Sequence, residues 1–292
     1  MRVTEGSAVY SSLAGLQSTA SRLAALQSQL SSGRQITKPS DSPTGTSQAL
    51  GLRAELTRVD QYGNNATDAI GWMTTTDSTL SSAVTQLQSV RSLVLQGLNT
   101  AMGTPTSNNA LAQQVDQLRA SMLSLSNATY QGRPIFGGTT AGAVAFDSTG
   151  NYVGDTGTVT RTVGPSTTVD INNSGTDVFG PDGGNVFSVL SDISAKLRSD
   201  PSTLTSSLQD LDTAMTRMSS QQALSGAVYQ RVQVAQTVNA TNTLQLKSQL
   251  SNLQDIDLAS MAVQVSTADA AYQASLATTA KIRQTSLLDY LR

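Results

Sequence analysis

Hydrophobic positions recur along this 292-residue chain at changing spacings, and the changes divide it into segments. From Val9 to Leu30 the rhythm is seven residues, with Val9, Leu16, Leu23 and Leu30 on one line and Leu13, Ala20 and Gln27 on the next. Apolar positions 3.5 residues apart on average place a helix against a partner helix in a coiled coil. Ala and Gln weaken this seam, so the helix depends on that partner. Near the other end, Leu258, Val265, Tyr272 and Thr279 repeat every seventh position, as do Met261, Ala268, Ser275 and Ile282. The matching rhythm predicts that the two ends pair.

Between these ends the period is helical but the tracts are longer. Residues 44–99 contain no Pro, and Leu52, Leu56, Val59, Ala66, Ile70 and Met73 mark an apolar face that continues through Leu80, Val84, Leu87, Val90, Leu93 and Val94. A further helix follows "GTPTSNN", over 108–130, and helices return over 202–218 and 224–253. From 131 to 185 the pattern becomes Val, Thr, Tyr and Phe alternating with Gly, Asp and Asn, which predicts short strands and tight turns. The chain is therefore expected to be mainly α with a small β insert. It should form an elongated, long antiparallel helical bundle, with paired N- and C-terminal coiled-coil helices and a small β domain at the far end.

The stretch "SSGRQITKPSDSPTG", residues 31–45, stops the first helix with three signals. Gly33 suits a left-handed helix end, Pro39 cannot continue a helix, and Ser42 followed by Pro43 reads as an N-cap and first helical position. A turn between bundle helices takes about 2–8 residues, and this one is longer and carries Arg34, Lys38 and Asp41. It reads as a rigid elbow that also makes polar contacts between subunits.

Composition narrows the function. Charged residues make up 13% of the chain and the net charge is −2, which gives no field to attract nucleic acid. No apolar run approaches the roughly 20 residues of a membrane span, and Met1–Gly6 lacks the pattern of a cleaved signal. With no Cys and no His, the chain lacks thiolate chemistry and the commonest general base and metal ligand. Aromatics at 4% leave few anchors for a compact core. No catalytic residue, metal ligand or cofactor site is expected.

Local motifs agree. "QGRPIFGGT", residues 131–139, has glycines and Arg133 but no G-K-[ST] ending, so it reads as a boundary turn entering the first strand. "DSTGNYVGD", residues 147–155, lacks the acidic spacing of a calcium loop and reads as a hairpin turn at "STGN". The Asn-Ala-Thr triplets at Asn65, Asn127 and Asn239 lie in or near helices and read as chance sequons. Asp255 and Asp257 mark a hinge, with Asp257 capping the last helix.

The order of helix, break, long helices, β insert and returning helices resembles the flagellin superfamily of bacterial flagellar axial proteins. "LAALQSQLSSGRQITKPSDSPTG" is similar to that superfamily's first helix and loop, and "KPSDSP" resembles its hook-filament junction branch. The end, "DIDLASMAVQVSTADAAYQASLATTAKIRQTSLLDYLR", is similar to the same branch. "LQSVRSLVLQG", residues 87–97, resembles the flagellin helix read by an innate immune receptor; Arg91 matches, but Ser92 replaces an acidic residue.

The resemblance implies a structural, non-enzymatic subunit of the flagellum at the hook-filament junction, exported without a cleaved signal peptide. It implies three layers: residues 1–40 and 256–292 as a terminal coiled-coil domain, 41–132 and 186–255 as a helical rod, and 133–185 as an outer β domain. Leu13, Leu16, Leu23 and Leu30 are expected to meet Leu258, Met261, Val265, Ala268, Tyr272 and Leu276, within one subunit or between neighbours. The implied partners are copies of the chain in a ring, hook-associated protein 1, flagellin, an export chaperone and the flagellar type III export apparatus. Two other readings are flagellin itself, against which the junction-like motifs argue, and a chemoreceptor-like hairpin, against which the β insert argues.

Overall fold

A computed structural model describes residues 2–99, 104–140 and 142–290; within these the side chains of 2–6, 8 and 282–290 are left aside. The terminal "SLLDYLR" and Ile282 therefore lie outside the described side chains. Among the described residues seven α-helices run in chain order: α1 (Arg2–Ser32), α2 (Pro43–Asn99), α3 (Pro105–Ser126), α4 (Gly175–Phe179), α5 (Val186–Ser199), α6 (Leu204–Gln254) and α7 (Leu258–Tyr290). Four short strands, β1 (Thr129–Tyr130), β2 (Arg133–Pro134), β3 (Thr160–Gly164) and β4 (Thr167–Asp170), lie between α3 and α4. The chain is thus mainly α with a small β insert, as its periodicity predicts.

Two compact units are present. The first comprises Met1–Arg58 and Thr243–Arg292, and the second Val59–Asn242. In the first unit α1 packs along α7. Because α1 ends and α7 begins at neighbouring points of the elbow, the two run antiparallel.

The second unit holds one continuous core. α2 contributes Trp72, Leu80, Leu87, Val90 and Val94; α3 adds Val115 and Met122; α5 adds Leu190, Ile193 and Leu197; α6 adds Leu204, Leu211 and Met218. These recur at steps of three, four, seven or eight residues, the face that an amphipathic helix turns inward. α3 is opened by Thr104, whose side chain accepts a bond from the Ser107 N–H, with Pro105 following. α5, which the sequence pattern did not single out, is capped by Asn185, whose Oδ1 accepts from the Ser188 N–H at 2.9 Å. α6 runs unbroken from Leu204 to Gln254, where two helices were expected. The residues 219–223 between them, Ser-Ser-Gln-Gln-Ala, carry no breaker.

Ser194 ties α5 to α3. Its hydroxyl donates to Asp116 at 2.6 Å, and Arg198 bonds both Asp116 and Ser194. Burial pushes the Asp116 carboxyl up, but hydrogen bonds from Ser194 and Arg198 outweigh it and leave the group below its ordinary value.

The insert is less regular than expected. β1 and β2 form a two-stranded hairpin closed by Gln131 and Gly132, with φ of 49° and 78°. "QGRP" is thus the turn of that hairpin rather than an entry to the first strand, since consecutive positive φ values close two-residue hairpins. β3 and β4 pair antiparallel with a register shift between Thr162 and Gly164. The turn expected at "STGN" is present: Asp147 accepts the Gly150 N–H at 3.1 Å, and Phe146 and Tyr152 bridge across it. What fills the insert is aromatic. Phe146 lies 5.1–5.3 Å, centroid to centroid, from Tyr152, Phe179 and Phe187, and Phe136 packs edge-on to Phe179 at 5.2 Å.

The insert is fastened to the long helices by polar bonds. Arg161 pairs with Asp68 at 2.8 Å, while Asn65 and Asn239 donate to the Thr162 and Val163 carbonyls. Two of the three sequon asparagines are therefore engaged here. The third, Asn127, accepts from the Ala145 and Phe146 N–H groups.

Candidate assembly site: the terminal helix pair and its elbow

The elbow joins α1 to α2 and sits beside the α6–α7 connection. Gly33 ends α1 at φ 68°, a left-handed conformation that glycine adopts without strain. The chain then runs extended, and Arg34 forms an antiparallel bridge with Asp255. The Gln35 N–H donates to the Gln254 carbonyl at 2.6 Å, and the Ile256 N–H to the Gly33 carbonyl at 3.2 Å. Outgoing and returning chains are therefore bonded to each other where both change direction.

Asp41 organises the rest of the loop. Its Oδ2 accepts the Lys38 N–H at 2.8 Å, the Thr37 hydroxyl at 2.8 Å and the Thr37 N–H at 3.1 Å. The Lys38 N–H, then the Thr37 hydroxyl and N–H, hold its carboxyl below the usual 3.8. Pro39 lies in the turn that Asp41 closes, where a residue without an N–H leaves no donor unmet. Ser42 accepts the Gly45 N–H at 3.1 Å and α2 begins at Pro43, as the capping signals predict. Gly45 is needed for space: a Cβ there would lie 2.6 Å from the Ile36 side chain. On the return side, Asp257 Oδ1 caps α7 by accepting the Ala259 N–H at 3.0 Å. Asp255 accepts from Ser251 at 2.6 Å, and Arg34 forms no ion pair among the described residues.

The structure sorts the seam residues. On α1, Leu23 is buried, and Val9, Leu16 and Leu30 are half-buried. The second covered line is Ser12, Thr19 and Leu26, three residues on from the first, not Leu13, Ala20 and Gln27, four residues on. Ala20 is half-covered, but Gln27 is exposed and Leu13 is 45% exposed. Both steps suit a coiled-coil stripe, and periodicity alone does not choose between them. On α7, Met261 is buried and Val265, Ala268, Tyr272, Ser275 and Thr279 are half-buried, while Leu258 and Leu276 face outward.

The pairing is incomplete. A cavity of about 220 Å³ opens between Thr19 and Arg22 of α1 and Val263, Thr267 and Ala271 of α7. Tyr10, Leu13, Leu258, Val263 and Leu276 keep between 43% and 78% of their surface exposed. Scattered apolar residues are ordinary on a surface. Five such residues lie on this one pair of helices, and Val263 lines the gap.

This arrangement defines the class: a helical protein whose two ends build one incompletely covered pair. The N-terminal helical region of bacterial flagellin matches residues 7–141, and its C-terminal helical region matches 208–291. The chain belongs to the bacterial flagellin family and is a structural protein of the flagellum. It is 26% identical to flagellar hook-associated protein 3 of Salmonella typhimurium over 320 aligned positions, spanning all of both chains. It is equally identical to the Escherichia coli protein of that name, over 84% of this chain and 87% of the relative. The FlgL crystal structure from Xanthomonas campestris matches the fold with a TM-score of 0.62, at 21% identity, over 68% of this chain and 99% of that one. Among the described residues no helix is long and apolar enough to cross a membrane, and no group of three His, Cys, Asp or Glu side chains could hold a metal.

Arg91, which matched the receptor-read helix of flagellins, is paired with Asp212 at 3.1 Å.

Proposed function

We propose that the chain is a junction subunit of the flagellum, linking hook to filament through its terminal helix pair and acting by packing, without catalysis. The observation that carries this reading is the half-covered α1–α7 pair, with Leu13, Leu258, Val263 and Leu276 exposed. Copies in a ring would bury those residues together with the covered seam of Leu16, Leu23, Leu30, Met261, Val265, Ala268 and Tyr272. Burying apolar surface yields about 25 cal/mol per Å², so neighbours supply what one partner helix leaves unmet.

In this reading residues 1–40 and 256–292 form the assembly domain, 41–132 and 186–255 the helical rod, and 133–185 an outer β domain. The neighbours are hook-associated protein 1 on the hook side and flagellin on the filament side. Export through the flagellar type III apparatus with a chaperone, and without a cleaved signal, suits helices that gain their packing only on assembly. A strain lacking residues 259–292 tests the proposal. Hooks without attached filaments are expected, and normal filaments in that strain would refute it.

A further inference from the structure

We propose that the cleft between the β insert and helices α2 and α6, inside the second unit, binds a neutral saccharide residue. The cleft encloses about 230 Å³. That is below the roughly 300–1,000 Å³ of sites for drug-sized ligands, a scale suited to a single sugar ring.

One wall is polar and held in place. Asn172 uses both ends of its amide, accepting from the Val159 N–H at 2.7 Å and donating to the Gly157 carbonyl at 2.9 Å. Asn173 donates to the Gln221 side-chain oxygen at 3.1 Å and accepts from the buried Ser225 hydroxyl at 3.0 Å. These bonds fix the frame before any ligand arrives, which lowers the ordering cost of binding. The carboxylates of Asp170 and Asp177 also line the cleft, and neither enters an ion pair or side-chain hydrogen bond among the described residues. They present free acceptors, so the matching ligand supplies donors, and sugar hydroxyls do so with short charge-assisted bonds.

Met73 of α2 and Leu224 and Val228 of α6 add apolar surface, the latter two beside Gln221 and Ser225 on the same helix. Leu224 is 60% exposed at this lip, leaving a large hydrophobic side chain uncovered beside the polar wall. A sugar ring carries both surfaces at once, hydroxyls on its edge and C–H groups on its face. A hydrated cation would satisfy the carboxylates but leave Leu224 in water. No Lys or Arg lines the cleft, so an anionic sugar would meet two like charges without compensation. The site is separate from the terminal helix pair, and its test does not depend on the assembly reading.

The experiment is a ligand-observed NMR titration of the full chain with glucose, galactose and N-acetylglucosamine, with glucuronate as anionic control and spermidine as cationic control. Saturable binding of at least one neutral sugar is expected, with none of glucuronate. Asp177→Ala and Leu224→Ala should each weaken it about tenfold, the loss of one charge-assisted bond or one apolar contact, with unchanged helical circular dichroism. No binding of any neutral sugar, binding of spermidine alone, or sugar binding unaltered in both folded variants would overturn the proposal.

Discussion

The two units draw on the same polar, helix-forming composition and reach different degrees of completion. In the second unit every long helix turns a row of buried side chains inward, and an aromatic cluster closes the insert. In the first, the buried hydrophobics among the described residues are Leu23, Ala49 and Met261. A core that size contributes only a few kcal/mol, since burying one Leu or Met side chain yields about 1.5–3 kcal/mol. Each ordered residue costs about 1–2 kcal/mol of backbone entropy. One unit buries a full core, and the other buries little of its apolar surface.

The largest effect is expected in the second unit. Phe146→Ala leaves a hole among Phe179, Phe187 and Tyr152 and should lower stability by about 3–5 kcal/mol, read as a fall in the main thermal transition. A loss no greater than that of a surface substitution would mean that the aromatic cluster is not central. Leu23→Ala should cost the terminal pair about 2 kcal/mol. It should reduce helical circular dichroism and speed proteolysis of the ends, yet leave the main transition unmoved; a shift of both together would make the units one cooperative body.

Gly33→Ala forces a Cβ into a left-handed turn and should cost about 1 kcal/mol, seen as faster hydrogen exchange at the Gln35 and Ile256 amides. The smallest effect is the acid response of Asp41. Its folded pKa lies below 3.8, so its contribution is present at neutral pH and is lost as pH falls through the folded value. Protection of the Thr37 and Lys38 amides should vanish in that window, and Asp41→Asn should weaken it at neutral pH and remove its acid response. Finally, polymerisation should raise helicity over the monomer; equal helicity in both states would show that the ends are fully formed alone.

Much of the architecture was legible in the chain. Gly33, Ser42-Pro43 and Asp257 act as their chemistry predicts, because capping and left-handed turns are decided within a few residues. The line of Leu16, Leu23 and Leu30 was readable for the same reason. The choice of Ser12, Thr19 and Leu26 as its companion line was not, since the side a helix turns to its partner depends on that partner. The aromatic cluster was hidden because Phe136, Phe146, Phe179 and Phe187 share no period. Phe136 and Phe146 sit in irregular chain beside short strands, whereas Phe179 ends α4 and Phe187 opens α5, so only the tertiary fold brings them together. α5 could have been found from Asn185 and the apolar steps Val186, Leu190, Ile193 and Leu197. The bond between Gln35 and Gln254 joins residues more than two hundred positions apart, and no local pattern carries it.

That bond has a mechanical meaning. A single strand linking two helices swivels about its own φ and ψ angles and transmits no twist. At this elbow two strands cross side by side, tied by the Arg34–Asp255 bridge and by hydrogen bonds in both directions. Rotating one side against the other must shear those bonds, so the joint resists torsion while still permitting a bend. Such a connection passes a twist from one helix pair to the next instead of losing it in a swivel.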